Sequence, residues 1–276
     1  MLRPVFLSLL VCLISFQAWA ESSVGTVLIT GSNRGIGLEF VRQYAADGWE
    51  VIATCRTPEK AAALQKLAES YPRITLAKLD VTDSTDISAF QKQNADKPID
   101  LLINNAALLG GRAEQMFGAQ DYDLAVRQYE VNALGPLRVT EAFVSNVGLA
   151  QGKVVILGSA AGSNGYLRPP ADFYSYRASK AALHFLAHNL ALELAENGTP
   201  VLLINPGLVD TRGLASLGPD DPVPEDYVQI VRLIRSGAIT LISPEQSVAA
   251  MRQLIKKLTV EQSGQFYNYD GKEMPW

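Results

Sequence analysis

Short apolar runs alternate with longer amphipathic stretches from Val24 to Trp276. Most of the apolar runs are nearly continuous and rich in β-branched residues, which is typical of strands covered on both faces. Seven such runs predict strands: VGTVLIT, EVIATC, ITLAKLD, DLLINNA, KVVILGS, PVLLINP and QFYNY.

The stretches between the apolar runs predict helices, among them Ile36–Asp47, Pro58–Tyr71, Pro136–Leu149 and Ser175–Asn197. Alternation of strand and helix implies right-handed crossovers between parallel strands. The pattern therefore predicts an α/β fold, a doubly wound parallel sheet of about seven strands with helices on both faces, which is the Rossmann arrangement. No repeat or linker interrupts it, so we expect residues 21–276 to form a single domain.

One stretch, Leu208–Tyr227, departs from this alternation because its segment GPDDPVPED is dense in residues that stop helices. A loop of this length is either a flexible insertion or a lid over a substrate. Its aromatic and proline content favours a lid over an apolar substrate.

Composition narrows the class of protein. The chain has 276 residues, 48% of them apolar, with 24 basic and 28 acidic side chains and a net charge of −4. Such a chain can bury a large core, and its acidic balance argues against a nucleic-acid surface, which needs a basic face. Two cysteines are too few for a disulfide scaffold or a Cys-based structural zinc site.

Residues 1–20 have the layout of a secretory signal peptide. Arg3 is followed by the mostly apolar stretch Val5–Phe16 and by an A-x-A cleavage signal that ends at Ala20. The stretch is short for a membrane span, so we expect cleavage, export to the periplasm or the medium, and no stable membrane span afterwards. An uncleaved anchor and a mistaken upstream start, which would leave the protein cytoplasmic, are the alternatives. Cleavage would leave Cys55 as the single cysteine.

A glycine-rich segment, T-G-S-N-R-G-I-G, follows the first predicted strand and opens a helix. Its glycines Gly31, Gly35 and Gly37 permit a tight turn and let backbone N–H groups approach a pyrophosphate at a helix N-terminus. We therefore predict a dinucleotide site here, against the alternative of an ordinary strand–helix turn.

The end of the second strand indicates which dinucleotide is bound. An acidic residue there would accept hydrogen bonds from the ribose hydroxyls of NAD, but the strand ends A-T-C-R without an acid. Arg56, together with Arg34 of the glycine segment, could instead pair with a 2′-phosphate. We expect NADP(H) in preference to NAD(H), unless the two arginines simply lie on a solvated rim.

Tyr176 and Lys180 are candidates for proton transfer. They lie four residues apart, on one face of a predicted helix. An ammonium near a phenol favours the phenolate and would lower the pKa of Tyr176 toward neutrality. Tyr166 and Tyr174 lack a lysine four residues on.

Ser159 ends the fifth predicted strand, where doubly wound folds place their ligands. Ser163 and Ser175 are alternatives without that strand-end position. Asn132, in Y-E-V-N-A-L-G, is expected at a kink within a helix.

His184 and His188 continue the row of Tyr176 and Lys180. H-F-L-A-H lacks the glutamate of the zinc motif H-E-x-x-H, and no third ligand clusters with the two histidines. We therefore expect packed or interface histidines and no metal site.

Together these motifs resemble the short-chain dehydrogenase/reductase family, and the tail G-Q-F-Y-N-Y-D-G-K-E-M-P-W resembles its C-factor or sniffer-like branch of carbonyl reductases. The resemblance adds L-D-V-T-D after the third strand, N-N-A-A after the fourth, where Ala107 replaces the family's glycine, and N-P-G-L-V-D-T after the sixth. It assigns Tyr176 as general acid/base, Lys180 as its pKa modifier and a ribose ligand, Ser159 to orient a carbonyl, and Asn132 to hold a water in the proton relay.

The resemblance also implies a set of cofactor contacts, with the carboxylate of Asp80 on the adenine ring and the hydroxyl of Thr211 on the nicotinamide carboxamide. The expected contacts are Gly31, Ser32, Asn33, Arg34, Gly35, Ile36, Gly37, Arg56, Asp80, Val81, Asn105, Ala106, Ala107, Tyr176, Lys180, Pro206, Gly207, Val209 and Thr211.

The activity implied is that of an oxidoreductase that transfers a hydride between NADP(H) and a small carbonyl or alcohol substrate. The long helix that carries Tyr176 is a dimer-packing element in the resembled family, so a homodimer or homotetramer is expected. The alternative is a nucleotide-binding sensor or signalling protein of the same fold with little turnover.

Overall fold

The computed structural model describes residues 24–167 and 171–276. The predicted signal peptide, residues 1–20, lies outside the described residues. Within the described chain the predicted α/β architecture is confirmed: strands and helices alternate, and the strands form one parallel sheet.

The sheet of the described residues has seven strands in the order β3-β2-β1-β4-β5-β6-β7, and every neighbouring pair is parallel. The chain therefore leaves β1 toward one edge of the sheet and returns to its other side at β4, which makes the gap between these two strands the point where the winding reverses. The strands are β1 Thr26–Thr30, β2 Glu50–Cys55, β3 Ile74–Lys78, β4 Leu101–Asn104, β5 Lys153–Leu157, β6 Val201–Asn205 and β7 Phe266–Asn268.

Eight α-helices connect these strands in the described chain, and none of them is both long enough and apolar enough to cross a membrane. All four named helix predictions correspond to helices, although the stretch Pro58–Tyr71 divides into a 3₁₀ turn at Pro58–Lys60 and α2. The helices are α1 Gly35–Ala46, α2 Ala62–Ser70, α3 Ser84–Gln93, α4 Tyr122–Tyr129, α5 Gly135–Leu149, α6 Tyr174–Ala195, α7 Val228–Arg235 and α8 Pro244–Lys257.

The kink expected at Asn132 is a π-helical turn, Glu130–Leu134, that joins α4 to α5 without a break. A π turn inserts one extra residue into a helix and often lies at a functional site. The predicted irregular stretch Leu208–Tyr227 contains two 3₁₀ turns, Leu214–Ser216 and Glu225–Tyr227, and is followed directly by α7.

Both faces of the sheet are covered, as the continuous apolar strands predicted. Because successive strand residues point to opposite faces, β1 sends Val27 and Ile29 into a core shared with α1, α2 and α8, and Leu28 into a second core shared with α3, α5 and α6. All three side chains are fully buried. The two cores leave the loops at the ends of the strands as the places where a ligand can approach.

Thr30 joins the carboxyl ends of the two strands at the reversal point. Its hydroxyl, almost completely buried, accepts hydrogen bonds from the backbone N–H groups of Asn105, at 3.0 Å, and Ala106, at 3.1 Å. One side chain of β1 therefore satisfies two donors of the chain that leaves β4, and it sets the distance between the two loops.

We expect Thr30→Val to lower the free energy of unfolding by about 1–3 kcal/mol, because the shape is kept while two N–H groups lose their acceptor. Chemical denaturation of the wild-type protein and of the variant measures this difference in the free energy of unfolding. Thr54→Val is the matched control: Thr54 is equally buried, but its hydroxyl makes one hydrogen bond, to the carbonyl of Ile29 at 3.1 Å. Equal losses for both variants would contradict this role for Thr30.

Candidate active site

The predicted site residues follow the carboxyl ends of five strands, and parallel strands bring those ends to the same edge of the sheet. Gly31 follows β1, Arg56 follows β2, Asn105 follows β4, Pro206 follows β6, and Ser159 lies two residues beyond β5. Residues that are far apart along the chain thus line one edge.

The glycine segment forms a tight turn whose shape excludes side chains. Gly31 has a φ of +68°, and a Cβ atom on Gly37 would lie 2.3 Å from the carbonyl oxygen of Gly31. The Asn105 side-chain amide donates to the carbonyl oxygens of Thr30, at 2.9 Å, and Gly31, at 3.0 Å. The N-N-A-A segment therefore holds the glycine turn through carbonyl oxygens of the turn. These hydrogen bonds do not use the N–H groups at the N-terminus of α1.

The N-P-G-L-V-D-T segment reaches the same turn from the other side of the reversal point. Thr211 lies against Gly35, since a Cβ atom on that glycine would be 3.1 Å from the threonine Cγ2 atom. Gly207 has a φ of +84°, and the carbonyl of Pro206 accepts a hydrogen bond from the buried Ser247 hydroxyl at 2.6 Å. The predicted cofactor residues beyond β1 and β6 thus come together.

Arg34 and Arg56 are both exposed, and neither guanidinium forms a hydrogen bond or an ion pair with another residue of the described chain. Asp80 lies two residues beyond β3, and one of its oxygens accepts hydrogen bonds from the backbone N–H and the hydroxyl of Thr82 at 2.9 and 2.7 Å. Val81 is buried against Gly135. Arg34 in the glycine turn and Arg56 directly after β2 therefore carry two positive charges without an acidic partner in the described chain.

The Ser159 side chain lies close enough to the Tyr176 phenol to lower its pKa by hydrogen bonding. The two alternative serines have other partners: the Ser163 hydroxyl donates to the carbonyl of Pro275 at 2.5 Å, and the Ser175 hydroxyl donates to Oε1 of Gln115 at 3.1 Å. Ser159 is therefore the serine that the fold brings to Tyr176.

Burial is the main influence on the pKa values of both Tyr176 and Lys180, and the role of Lys180 as pKa modifier of the phenol stays a prediction. Burial raises the pKa of the half-buried phenol above its ordinary value, opposed by Ser159. The Lys180 ammonium donates to the carbonyl of Leu157 at 2.9 Å, and burial lowers its own pKa to about 8. The shared helix places the two residues one turn apart, and desolvation disfavours the charged form of each.

Two residues that the sequence did not single out for this purpose hold the backbone at Ser159. His184 accepts a hydrogen bond from the Ser159 N–H at Nε2, at 3.2 Å, and Asn205 accepts one from the Ala160 N–H at 3.0 Å. Burial and the Lys180 charge lower the pKa of His184 to about 3, so the imidazole is neutral and can accept. His184 lies within α6 and Asn205 ends β6, and no local sequence pattern indicates which backbone N–H groups these side chains meet.

His184 and His188 are packed residues, as expected. Both rings contact the indole of Trp276, with centroids 6.2 and 5.3 Å apart, and His184 also contacts the ring of Phe266. Over the described part of the chain, no three His, Cys, Asp or Glu side chains cluster as metal ligands would.

Asn132 is fully buried in the π turn, and its side chain fastens the loop after β4. Its Oδ1 accepts from the Leu108 N–H at 2.7 Å, and its Nδ2 donates to the Leu108 carbonyl at 2.9 Å and to the Ser179 hydroxyl at 2.9 Å. Asn132 thereby connects this loop to α6 one residue before Lys180.

Comparison with known proteins agrees with this geometry. A family model described as short chain dehydrogenase matches residues 25–222. Among curated relatives, a 1-hydroxy-2-glutathionyl-2-methyl-3-butene dehydrogenase of Rhodococcus sp. strain AD45 is 33% identical over 257 residues, covering 92% of this chain and all of that protein. The C-signal of Myxococcus xanthus is 35% identical over 190 residues, which are 68% of this chain and 99% of that protein.

Among solved structures, an NADPH-bound carbonyl reductase from chicken fatty liver superposes with a TM-score of 0.76 at 30% identity, covering 92% of this chain and all of that one. The matched family region contains the glycine turn, the N-N-A-A segment, Ser159, Tyr176 and Lys180. The resemblance that the motifs predicted is confirmed, and the chain belongs to the short-chain dehydrogenase family.

Proposed function

We propose that this protein is an NADP(H)-dependent carbonyl reductase or alcohol dehydrogenase. The observation that carries the proposal is that Ser159, Tyr176 and Lys180 come together at the carboxyl edge of the sheet. The Ser159 side chain acts on the pKa of the Tyr176 phenol, and the buried ammonium of Lys180, one helical turn from Tyr176, donates to the last residue of β5. Hydroxyls placed in this way can bind a carbonyl oxygen and exchange a proton with it.

The glycine turn suits a dinucleotide because its backbone conformation and its lack of Cβ atoms leave the N–H groups at the start of α1 open to a pyrophosphate. When bound, the nicotinamide supplies or accepts the hydride. Gly31, Ser32, Asn33, Gly35, Ile36 and Gly37 would hold the phosphates, Asp80 and Val81 the adenine, and the segment from Pro206 to Thr211 the carboxamide.

In the reductive direction, Ser159 donates a hydrogen bond to the substrate carbonyl oxygen and Tyr176 transfers its proton to that oxygen. The raised pKa of the phenol keeps it protonated at neutral pH, as an acid must be. Lys180 would bind a ribose of the cofactor and supply positive charge near the phenol. Asn132 would hold a water in the proton relay. In the oxidative direction the same groups act in reverse.

The free guanidinium groups of Arg34 and Arg56 support a preference for NADP(H), because the Arg fork matches a phosphate and no acid stands at the end of β2. The NADPH that the chicken carbonyl reductase binds is consistent with this preference.

A second candidate function is signalling with little turnover, which the similarity to the C-signal of Myxococcus xanthus favours. A panel of aldehydes, ketones and quinones with NADPH, together with alcohols and NADP⁺, discriminates between the two. Tight NADPH binding without turnover on any of them would support the signalling protein.

Export and self-association stay proposals. Phe185 and Leu192, 71% and 62% exposed on α6, support a homodimer or homotetramer that covers this helix, and sedimentation velocity would give its mass. The layout of residues 1–20 supports export, in which case the enzyme has to carry its cofactor outward or obtain it outside.

Tyr176→Phe is expected to lower kcat by about 100–10,000-fold, because the proton donor is removed, while the Kd for NADPH stays close to that of the wild-type protein. Steady-state kinetics and fluorescence titration measure the two quantities. Tyr174→Phe, a change of the same kind two residues earlier on α6, should leave kcat unchanged. Turnover retained in Tyr176→Phe would assign the proton to another group.

Arg56→Asp is expected to weaken NADPH binding by about 10–100-fold, the loss of a charged hydrogen-bond pair, and to improve NADH binding. The ratio of kcat/KM for the two cofactors measures the shift. Arg127→Asp, an equal change of charge at an exposed position of α4, should leave the ratio unchanged. The assignment fails if both variants keep the original selectivity.

Intact-mass measurement of the protein purified from its own cells is expected to give a chain that begins at Glu21, because cleavage after the A-x-A signal removes residues 1–20. A mass that retains the apolar stretch would point to an anchor instead. A chain that begins close to Val24 without export would indicate a later start.

A further inference from the structure

The helix that carries Tyr176 begins without a cap of its own. Phe173, the residue before α6, has a φ of +51° in the left-handed region and offers no side-chain hydrogen bond to the helix. The first N–H groups of a helix have no intrahelical partner and need acceptors from elsewhere. At this helix the backbone N–H of Tyr176 itself is one of these groups.

Gln115 supplies the missing acceptor from another part of the chain. Its Oε1 accepts the Tyr176 N–H at 3.0 Å and the Ser175 hydroxyl at 3.1 Å. The side chain belongs to a short 3₁₀ turn, Ala113–Gln115, and is fully buried. A neutral amide in this position acts as a cap that lies 61 residues away from the residue it holds.

The other end of the same amide holds the loop after β4. Nε2 of Gln115 donates to the carbonyl oxygens of Leu109, at 2.8 Å, and Gly111, at 2.7 Å. This segment directly follows Leu108, whose backbone N–H and carbonyl are both hydrogen-bonded to the Asn132 side chain. One buried side chain therefore connects the loop at the reversal point of the sheet to the first turn of α6.

Gln128 provides an internal comparison. It is equally buried, and its Nε2 donates to the same Leu109 carbonyl at 2.6 Å and to Oε1 of Gln115 at 2.9 Å. No hydrogen bond joins the Gln128 side chain to α6 in the described chain. Both glutamines are thus fully buried and donate to the loop after β4, but only Gln115 of the two accepts the Tyr176 N–H.

We propose that Gln115 is a positioning residue for the reaction. It sets the position of the first turn of α6 and thereby keeps the Tyr176 phenol next to the Ser159 hydroxyl. This inference rests on the proposed role of Tyr176 as the proton donor. A displacement of about 1 Å at a reacting group can cost about 100-fold in rate, so a single cap at this residue is sufficient to affect turnover.

The test compares Gln115→Met with Gln128→Met, both of which keep the side chain's length and remove its amide. We expect Gln115→Met to lower kcat by about 10–100-fold, with smaller changes in KM and in the NADPH Kd. Because the phenol loses the Ser159 hydrogen bond that lowers its pKa, the limb of the pH profile that Tyr176 sets should move to higher pH. Gln128→Met should lower thermal stability without changing kcat or the pH profile.

Hydrogen exchange gives a readout that does not need turnover. The Tyr176 amide, measured in peptides that span the start of α6, should exchange faster in Gln115→Met and at the wild-type rate in Gln128→Met. Should Gln115→Met fail to fold, Gln115→Leu, which also removes the acceptor of the Tyr176 N–H, should show the same faster exchange of the Tyr176 amide.

Equal exchange rates and equal kcat values for the two methionine variants would overturn the positioning role, since both side chains would then serve stability alone. Wild-type protection of the Tyr176 amide in Gln115→Leu would overturn it as well. Failure of the proposed function has a different signature: Tyr176→Phe would keep its turnover, or wild-type protein would have none, while the exchange result still reports on Gln115.

Discussion

The seven strands of the described chain run in one direction, so their carboxyl ends lie at the same edge of the sheet, and the arrangement of the candidate site depends on that constraint. Beyond each carboxyl end, the donors and acceptors of the backbone no longer have partners on a neighbouring strand. Thr30, Asn105 and Asn205 satisfy many of these groups with short polar side chains at the strand ends. The same hydrogen bonds that complete the fold therefore determine how closely the loops approach one another.

Burial of polar groups around α6 gives the site its electrostatic character. His184 accepts the Ser159 N–H because desolvation keeps its imidazole neutral, and the buried Lys180 ammonium has a pKa near 8 because few groups replace its lost water. Charge is costly for the Tyr176 phenol too, which stays protonated. The interior thus keeps the phenol and the imidazole neutral, beside an ammonium that holds its proton less tightly than an exposed lysine does.

The motifs with chemical meaning could be found from sequence because each depends on residue type and local spacing. Glycine is required at positions 31 and 37 because a Cβ atom there would collide with neighbouring atoms. Tyr176 and Lys180 are four residues apart, a spacing that puts them on one face of a helix wherever that helix lies in a fold. Contacts between distant segments could not be found in this way. Gln115 was missed because a glutamine in a loop carries no sign of the N–H that it will meet 61 residues later.

The sequence alone determined the alternation of strands and helices, the parallel sheet covered on both faces, and the family that its motifs resemble, since periodicity and short-range spacing encode these features. Only the tertiary structure decided which serine meets Tyr176, which way its pKa moves and which side chains hold it in place. Those outcomes depend on desolvation and on which donors and acceptors meet across the fold. Both are properties of the packed chain and not of any local segment.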